Sequence, residues 1–327
     1  MKIAILAFNH CTASMVLGFL DILSIANLNH GEFIKKVRGN SKTPPFEIDI
    51  ISGNGKPVIS SSEHPILAKK SISLKTIYDL VYVPGFLFDA DAVLTNEKKT
   101  ILWLKNQHKK GAIITAACNG NYLVAESGLL NNRKATTHWN VANDFKNRYQ
   151  SVTLEPEKIL IDEGSVISAA GLTAYLNLAI YLVYRFASPQ LAAFCSKIFL
   201  VDSGRRMQTP YEIFTPHKHG DSLILQVQEW LAKNITESIT LESIASKSHL
   251  GRRTLLRRFK FATGDTPMIY LQKLRIEKAK TLLQTTNLTF NEITWKVGYE
   301  NASSFQKLFK TETGLSPKEY RSKFLLN

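Results

Sequence analysis

Cysteine is scarce. The 327 residues hold three, an odd number with no Cys-x-x-Cys pair, which excludes a disulfide framework and fits a reducing compartment. Uninterrupted apolar runs are also missing. The longest apolar tract, Val166 to Ala187, is broken by Ser168, Gly171, Thr173 and Asn177, and reads as a buried helix of an α/β domain rather than a membrane span. The apolar stretch Ile3 to Phe8 is shorter than the roughly 7–15-residue core of a secretory signal. A cytoplasmic protein without a membrane partner is therefore expected. Acidic residues are absent between Met1 and Asp21, and again between Arg252 and Lys260. Apolar residues at 44% and charged residues at 21% leave no room for a disordered or fibrous chain.

Positive charge is what the chain has in excess. It carries 41 Lys and Arg against 27 Asp and Glu, a net +14. Residues 1–210 hold 23 basic against 16 acidic groups, and residues 211–327 hold 18 against 11, the same excess in little more than half the length. Between Arg252 and Lys260 five of nine residues are basic. An excess of this kind speaks of partners, and nucleic acid is the first.

Residues 1–200 alternate short apolar runs with helical patterns. Strands are expected at Lys2–Phe8, Phe46–Ser52, Leu80–Val83 and Ala112–Ala117, with helical patterns over Met15–Ile25 and Lys98–Gln107 between them. Near-continuous apolar strands alternating with helices predict an α/β domain on a mostly parallel, doubly covered sheet. Ile159–Ile161 and Val166–Ala169 read as a hairpin, followed by helices from Leu172 and over Pro189–Leu200. Residues 201–220 break the pattern with Gly204, Arg205-Arg206, Pro210, Pro216 and Gly220, and read as a linker or a packed loop. Its His217 and His219 stand two apart with no third ligand in sight, so no metal site is expected.

The last third, residues 221–327, is all-α by pattern and repeats itself. Leu255-x-Arg257-x-Phe259, then Gly264, Pro267 and Tyr270, recurs fifty residues on as Phe305-x-Lys307-x-Phe309, then Gly314, Pro317 and Tyr320. A short helical pattern and a turn precede each copy: Leu241–Lys247 before Ser248–Leu250, and Phe290–Val297 before Gly298–Tyr299. That is a helix-turn-helix layout, twice. In the first copy Leu255, Phe259 and Ala262 form one apolar stripe, and Arg253, Arg257 and Lys260 lie opposite with Leu256 among them. In the second, Phe305 and Phe309 form the stripe, and Ala302, Ser303, Gln306, Lys307 and Lys310 face out. Arg pairs with guanine and Gln with adenine in a major groove, while further Lys and Arg hold phosphates. Two such helices on one frame reach successive grooves about 34 Å apart. The amphipathic stretch Tyr270–Leu283 is long enough to hold them together. The competing reading is a small all-α bundle with solvated basic faces.

Residues 221–327 closely resemble the AraC/XylS family of bacterial transcription regulators. Arg253-Thr-Leu-Leu-Arg-Arg-Phe-Lys260, Leu274-Arg275-Ile-Glu277, Val297-Gly-Tyr299 and Gly314-Leu-Ser-Pro317 carry the likeness. The resemblance implies double-stranded promoter DNA and RNA polymerase as partners and a regulator, an activator or a repressor, acting as a homodimer. By motif position the DNA-binding residues are Arg252, Arg253, Leu256 and Arg257, then Ala302, Ser303, Gln306 and Lys307. The chain departs from the family at Gly251, where a capping Ser is usual, at His249, where Gly is usual, at Thr294, where a small Ala is usual, and at Leu256, where a polar reader is common.

The N-terminal part resembles the PfpI-like, class I glutamine-amidotransferase-like domain, of flavodoxin-like sandwich type. The stretches Ala116-Ala-Cys118-Asn-Gly120, Leu123-x-Ala125-x-Ser127-Gly-Leu-Leu130 and Ala135-Thr-Thr-His-Trp139 carry it. A cysteine on a strand-to-helix turn sits at the positive end of a helix, which lowers a thiol pKa and offers a nascent oxyanion hole. His138 is the candidate base. However, Asn119 stands where PfpI-type proteases carry His, and the acid expected after the first strand is missing. The reading is a non-enzyme without a cofactor, whose domain keeps a pocket for a small effector, an amino acid or other nitrogenous metabolite. The alternatives are a plain structural elbow and a Cys118-dependent hydrolase or amidase with an accessory DNA-binding domain. In open α/β sheets ligands sit beyond the carboxyl ends of the strands, which nominates Asn9, Cys11, Phe86, Cys118, Asn119, His138 and Trp139. The rings of Phe86, Phe88 and Trp139 serve there either as a cation-binding cup or as core and dimer contacts.

Overall fold

The computed structural model describes residues 1–34, 44–72, 75–216 and 219–325, so His217 of the linker pair lies outside the described residues. The chain folds as two compact units, Met1–Gln208 and Thr209–Asn327.

The first unit runs β1 (Lys2–Leu6), α1 (Ala13–Ile34), β2 (Glu47–Ser52), β3 (Val58–Ile59), β4 (Pro65–Ile66), β5 (Lys70–Ser71), β6 (Leu80–Val83), α2 (Ala90–Asn96), α3 (Lys98–Lys109), β7 (Ile113–Ala117) and α4 (Asn121–Glu126). It continues β8 (Lys134–Ala135), α5 (Ala142–Arg148), β9 (Thr153–Leu154), β10 (Leu160–Asp162), β11 (Val166–Ala169), α6 (Ala174–Phe186) and α7 (Pro189–Ile198). Seven strands form one sheet in the order β10-β11-β7-β6-β1-β2-β5. All its pairings are parallel except the edge pair β10–β11, where Ile161 faces Ser168. Every residue of β6 and β11 is buried, as strands covered on both faces must be, and their sequences therefore show no alternation. The helices form two groups, α1 with α6 and α7, and α4 with α2 and α3. Within the core, the Phe19 ring stacks on Tyr82 at 3.8 Å.

The strand β1 pairs with β2 on one side and β6 on the other, so the chain leaves it in both directions. That reversal places the ends of β1, β6 and β7 around one crevice. The stretch beyond α7 is not free. Met207 bridges Lys158, and the Gln208 side chain donates to the carbonyls of Thr137 and Pro156.

The second unit is helical: α8 (Ser222–Lys233), α9 (Leu241–Lys247), α10 (Arg252–Thr263), α11 (Pro267–Thr285), α12 (Phe290–Lys296), α13 (Ala302–Thr313) and α14 (Pro317–Phe324). Helix starts are written in the sequence. Thr240 with Ser243, Thr289 with Glu292 and Ser316 with Glu319 form capping boxes before α9, α12 and α14. Helix α11 serves two cores. Tyr270 and Leu271 pack with Ile244, Leu255 and Phe259, and Ile276, Ala279 and Leu283 pack with Ile293, Phe305 and Phe309.

The expected stripe of α10 packs as read, with Ala262 against the Leu255–Phe259 core, and gains one residue. Ala262 is half-buried, and Thr263 is the buried third member, as Thr313 is in α13. Each threonine hydroxyl donates to the carbonyl four residues back, at 2.8 Å to Phe259 and 2.7 Å to Phe309, which makes a polar side chain tolerable inside the core.

Candidate functional site

Burying Leu255 and Phe259 turns the rest of α10 outward. Arg253, Arg257 and Lys260 are exposed and Leu256 is half-buried. On α13 the same logic exposes Ser303, Gln306, Lys307 and Lys310 and leaves Ala302 half-buried. The remaining arginines of α10 are engaged within the unit. Arg258 grips the Asp221 carboxylate through Nε at 2.6 Å and Nη2 at 2.8 Å. Arg252, expected to touch DNA, pairs with Glu242 of α9 at 2.5 Å, fastening the start of α10 to its supporting helix. Among the described residues Arg253 and Arg257 form no ion pair, which leaves their guanidinium groups to an outside acceptor.

The two turns reach the same end by different means. After α9 the turn runs Ser248–Gly251, with His249 in left-handed backbone at φ 51° and no side chain capping α10. After α12 it runs Val297–Asn301, one residue longer, with Gly298 at φ 80° and Asn301 capping α13 through the Ser304 amide at 2.9 Å. Thr294, the departure from a small residue, is buried and satisfied by the Phe290 carbonyl at 2.8 Å.

One buried side chain ties the two helix-turn-helix units together. Arg275, near the middle of α11, donates from Nε to the Ile235 carbonyl at 2.9 Å and from Nη2 to the Glu237 carbonyl at 2.7 Å. These carbonyls belong to the loop before α9. The same guanidinium lies 5.0 Å from the ring centre of Tyr299, in the turn before α13. Gly298 closes the joint: a Cβ there would come within 2.6 Å of the Ile235 oxygen and 2.8 Å of Arg275 Nη2. Sequence reasoning placed Arg275 in a family motif but gave it no role, because both its partners are distant in sequence.

In the first unit the crevice residues gather only in part. Cys118 follows β7 with left-handed backbone, φ 56°, at the start of a single turn leading into α4. Its thiol is packed, not presented. A Cβ at Gly85 would lie 2.8 Å from Cys118 Cβ and 3.0 Å from the Met15 sulfur, so the space beside Cys118 is filled to the glycine backbone. Sγ donates to Asn119 Oδ1 at 3.4 Å, and Asn119 Nδ2 donates to the Phe86 carbonyl at 3.2 Å. Cys11 is buried and pairs backbone to backbone with Phe86.

The helix-end effect expected to lower the Cys118 pKa is overruled. Burial pushes this thiol up to about 12 and Cys11 up to about 11, because a thiolate loses its hydration there. Helix α4 spans six residues and supplies too little opposing field. His138 serves the backbone. Its Nδ1 accepts from the Asn140 amide at 3.1 Å, and its Cδ2 edge faces Gly171. Burial pushes its pKa below 6.5.

The remaining residues disperse. Asn9 is exposed and accepts from the Ile59 amide at 3.0 Å. The Trp139 amide donates to Gln208 Oε1 at 3.3 Å. The three aromatic rings do not form a cup: Phe86 is fully buried near Phe8 and Tyr122, and Phe88 stacks on His10 at 4.0 Å. The sequence missed one buried hydroxyl, Tyr82, which like that of Thr12, at the end of the candidate stretch after β1, has no hydrogen-bond partner among the described residues. The Tyr82 pKa is raised first by burial and then by Cys118, Tyr175 and Cys11, which places it among these groups.

Comparison with known proteins agrees with both halves. Residues 244–323 match the model of a helix-turn-helix domain, and residues 34–184 match that of the DJ-1/PfpI family. The HTH-type transcriptional regulator CdhR of Pseudomonas aeruginosa is 26% identical over 94% of this chain and 88% of its own. The HTH-type transcriptional regulator ArgR of the same organism is 28% identical over 68% of each chain. Among solved structures, Drosophila melanogaster DJ-1beta superimposes with a TM-score of 0.50 at 17% identity, covering 62% of this chain and 98% of its own, which speaks for the fold alone. The chain is a helix-turn-helix transcriptional regulator. It joins a DJ-1/PfpI domain to an AraC-type DNA-binding domain, in that order.

Proposed function

We propose that the second unit reads promoter DNA with α10 and α13 in successive major grooves, and that the first unit binds a small nitrogenous effector that controls it. The observation that carries this is the duplicated outward face: Arg253 and Arg257 on one helix, Gln306 and Lys307 on the other, each opposite a buried apolar stripe. Arg257 supplies a bidentate donor for guanine and Gln306 one for adenine; Leu256 and Ala302 suit thymine methyl groups. Arg252, held by Glu242, acts through the position of α10. Selection from random duplexes followed by footprinting tests the reading. Two protected major-groove patches about 34 Å apart are expected. One patch, or no selectivity, contradicts it.

The effector reading rests on the unpartnered hydroxyls of Tyr82 and Thr12 beside Cys11 and Cys118 at the carboxyl ends of β1, β6 and β7. Groups of this kind call for a polar guest or water. The thiol is held protonated and His138 is spent on a backbone amide, so we infer a pocket rather than a hydrolytic centre. A metabolite screen by thermal shift on the full chain tests this, because a ligand that binds the folded state raises the melting temperature. Homodimerisation through the first unit, activation through RNA polymerase and a cytoplasmic location complete the proposal.

A further inference from the structure

The first unit holds a second, unrelated opening. A cavity of about 810 Å³ lies between the edge strand β10, helices α6 and α7, and the segment Ser203–Met207. That volume falls within the range of small-molecule sites. None of the crevice residues around Cys118 lines it. Its apolar wall includes Leu160, Ile180, Pro189 and Ala192, and Tyr184 stands exposed at its side.

Its charged lining has one sign. Lys158, Arg205 and Arg206 border the cavity and no carboxylate does. Acids stand nearby without lining it: Glu155 pairs with Lys158 and Lys134, Asp162 accepts from Tyr181 and Arg185, Asp202 accepts from the Gly204 amide, and Glu157 neighbours Lys158. The arginines are carried on fixed backbone. The Arg206 carbonyl accepts from the Ile159 amide at 2.9 Å, and Met207 bridges Lys158. The Arg205 side chain is steadied by the Thr173 hydroxyl at 2.9 Å. An apolar wall beside cations carried on fixed backbone recognises one chemistry: a guest with an apolar body and a negative end.

We propose that this cavity binds an amphiphilic organic anion, with its charged end at Arg205 and Arg206 and its body against Ile180, Tyr184 and Pro189. The site goes beyond the effector reading above and stands independently of it.

The dye anilinonaphthalene sulfonate, an aromatic body with one anionic group, serves as probe in a fluorescence titration of the full chain. Saturable binding at one site is expected. Reversing a cation with Arg206→Glu should weaken it about tenfold. Ala193→Trp, at an exposed position of α7 on the cavity wall, should abolish it while leaving the melting temperature unchanged. Octanoate should displace the dye, and octylammonium, with the same body and opposite charge, should not. The proposal is overturned by absence of saturable binding, by unaltered binding in both variants, or by equal displacement by octylammonium. Displacement by duplex DNA overturns it too, since the dye would then sit on α10 and α13. Duplex binding by the same preparation reports on the regulator reading separately: intact DNA binding without the dye site ends this inference alone.

Discussion

At Cys118 a left-handed backbone and complete packing act on one thiol. One measurement follows here and a second at another residue. Because burial raises its folded pKa to about 12 from an ordinary 9.0, the neutral thiol stabilises the fold fully below about pH 9, and that contribution fades as pH rises towards 12. Native protein at pH 8 should therefore react with iodoacetamide far more slowly at Cys118 than unfolded protein does. Rapid labelling, or a covalent adduct formed during turnover of an amide, would revive the hydrolase alternative. Gly298 gives the second. An alanine there must hold φ near 80° and fit its Cβ within 2.6 Å of a carbonyl oxygen, so Gly298→Ala should cost about 2–4 kcal/mol in denaturant unfolding. His249 occupies the equivalent turn with a similar φ and a side chain, so the penalty at Gly298 comes mainly from the crowding by Ile235 and Arg275.

Elements carry a different kind of information. Helices α9, α10, α12 and α13 are legible from stripes and the repeat, as are β6, β7 and the β10–β11 hairpin from apolar runs. The two-residue pairs β3–β4 and β8–β9 have no periodicity to read. Helix α1 extends to Ile34, well past the apolar pattern ending at Ile25, because its last turns are polar. Helices α2 and α5, at seven residues each, are too short to show a stripe and, unlike α9 and α12 of the same length, have no repeat to mark them. The candidate site is half legible. The outward faces of α10 and α13 follow from local spacing, whereas the surroundings of His138 and Cys118 include Gly171, Gly85, Asn119 and its partner Phe86, of which only Asn119 is a sequence neighbour. Arg275 belongs to this level. It joins the loop before α9 to the turn before α13, so it should fix the angle between the two recognition helices. Arg275→Ala should leave binding to an isolated half-site nearly unchanged and weaken the full site, with greater tolerance of altered spacing. Equal loss at half-sites and full site would reduce Arg275 to a stabilising residue. By contrast, Phe309→Ala empties a buried core position and should cost about 3–5 kcal/mol of stability.

For the whole molecule, charge and fold divide the labour. The net +14 supplies attraction to a polyanion at any sequence, and that attraction weakens with salt. On the proposed reading, selectivity comes from the few side chains that α10 and α13 aim outward. The most direct test compares Arg257→Ala combined with Lys307→Ala against the unsubstituted chain, by fluorescence anisotropy on the selected duplex and on a scrambled one, across a salt series. Loss of Arg257 should cost about 1–3 kcal/mol on the selected duplex and relax base preference, and loss of a phosphate-contacting Lys307 should flatten the salt slope. Unchanged affinity and unchanged preference for the selected duplex in the double variant would contradict the assignment of these two faces to DNA.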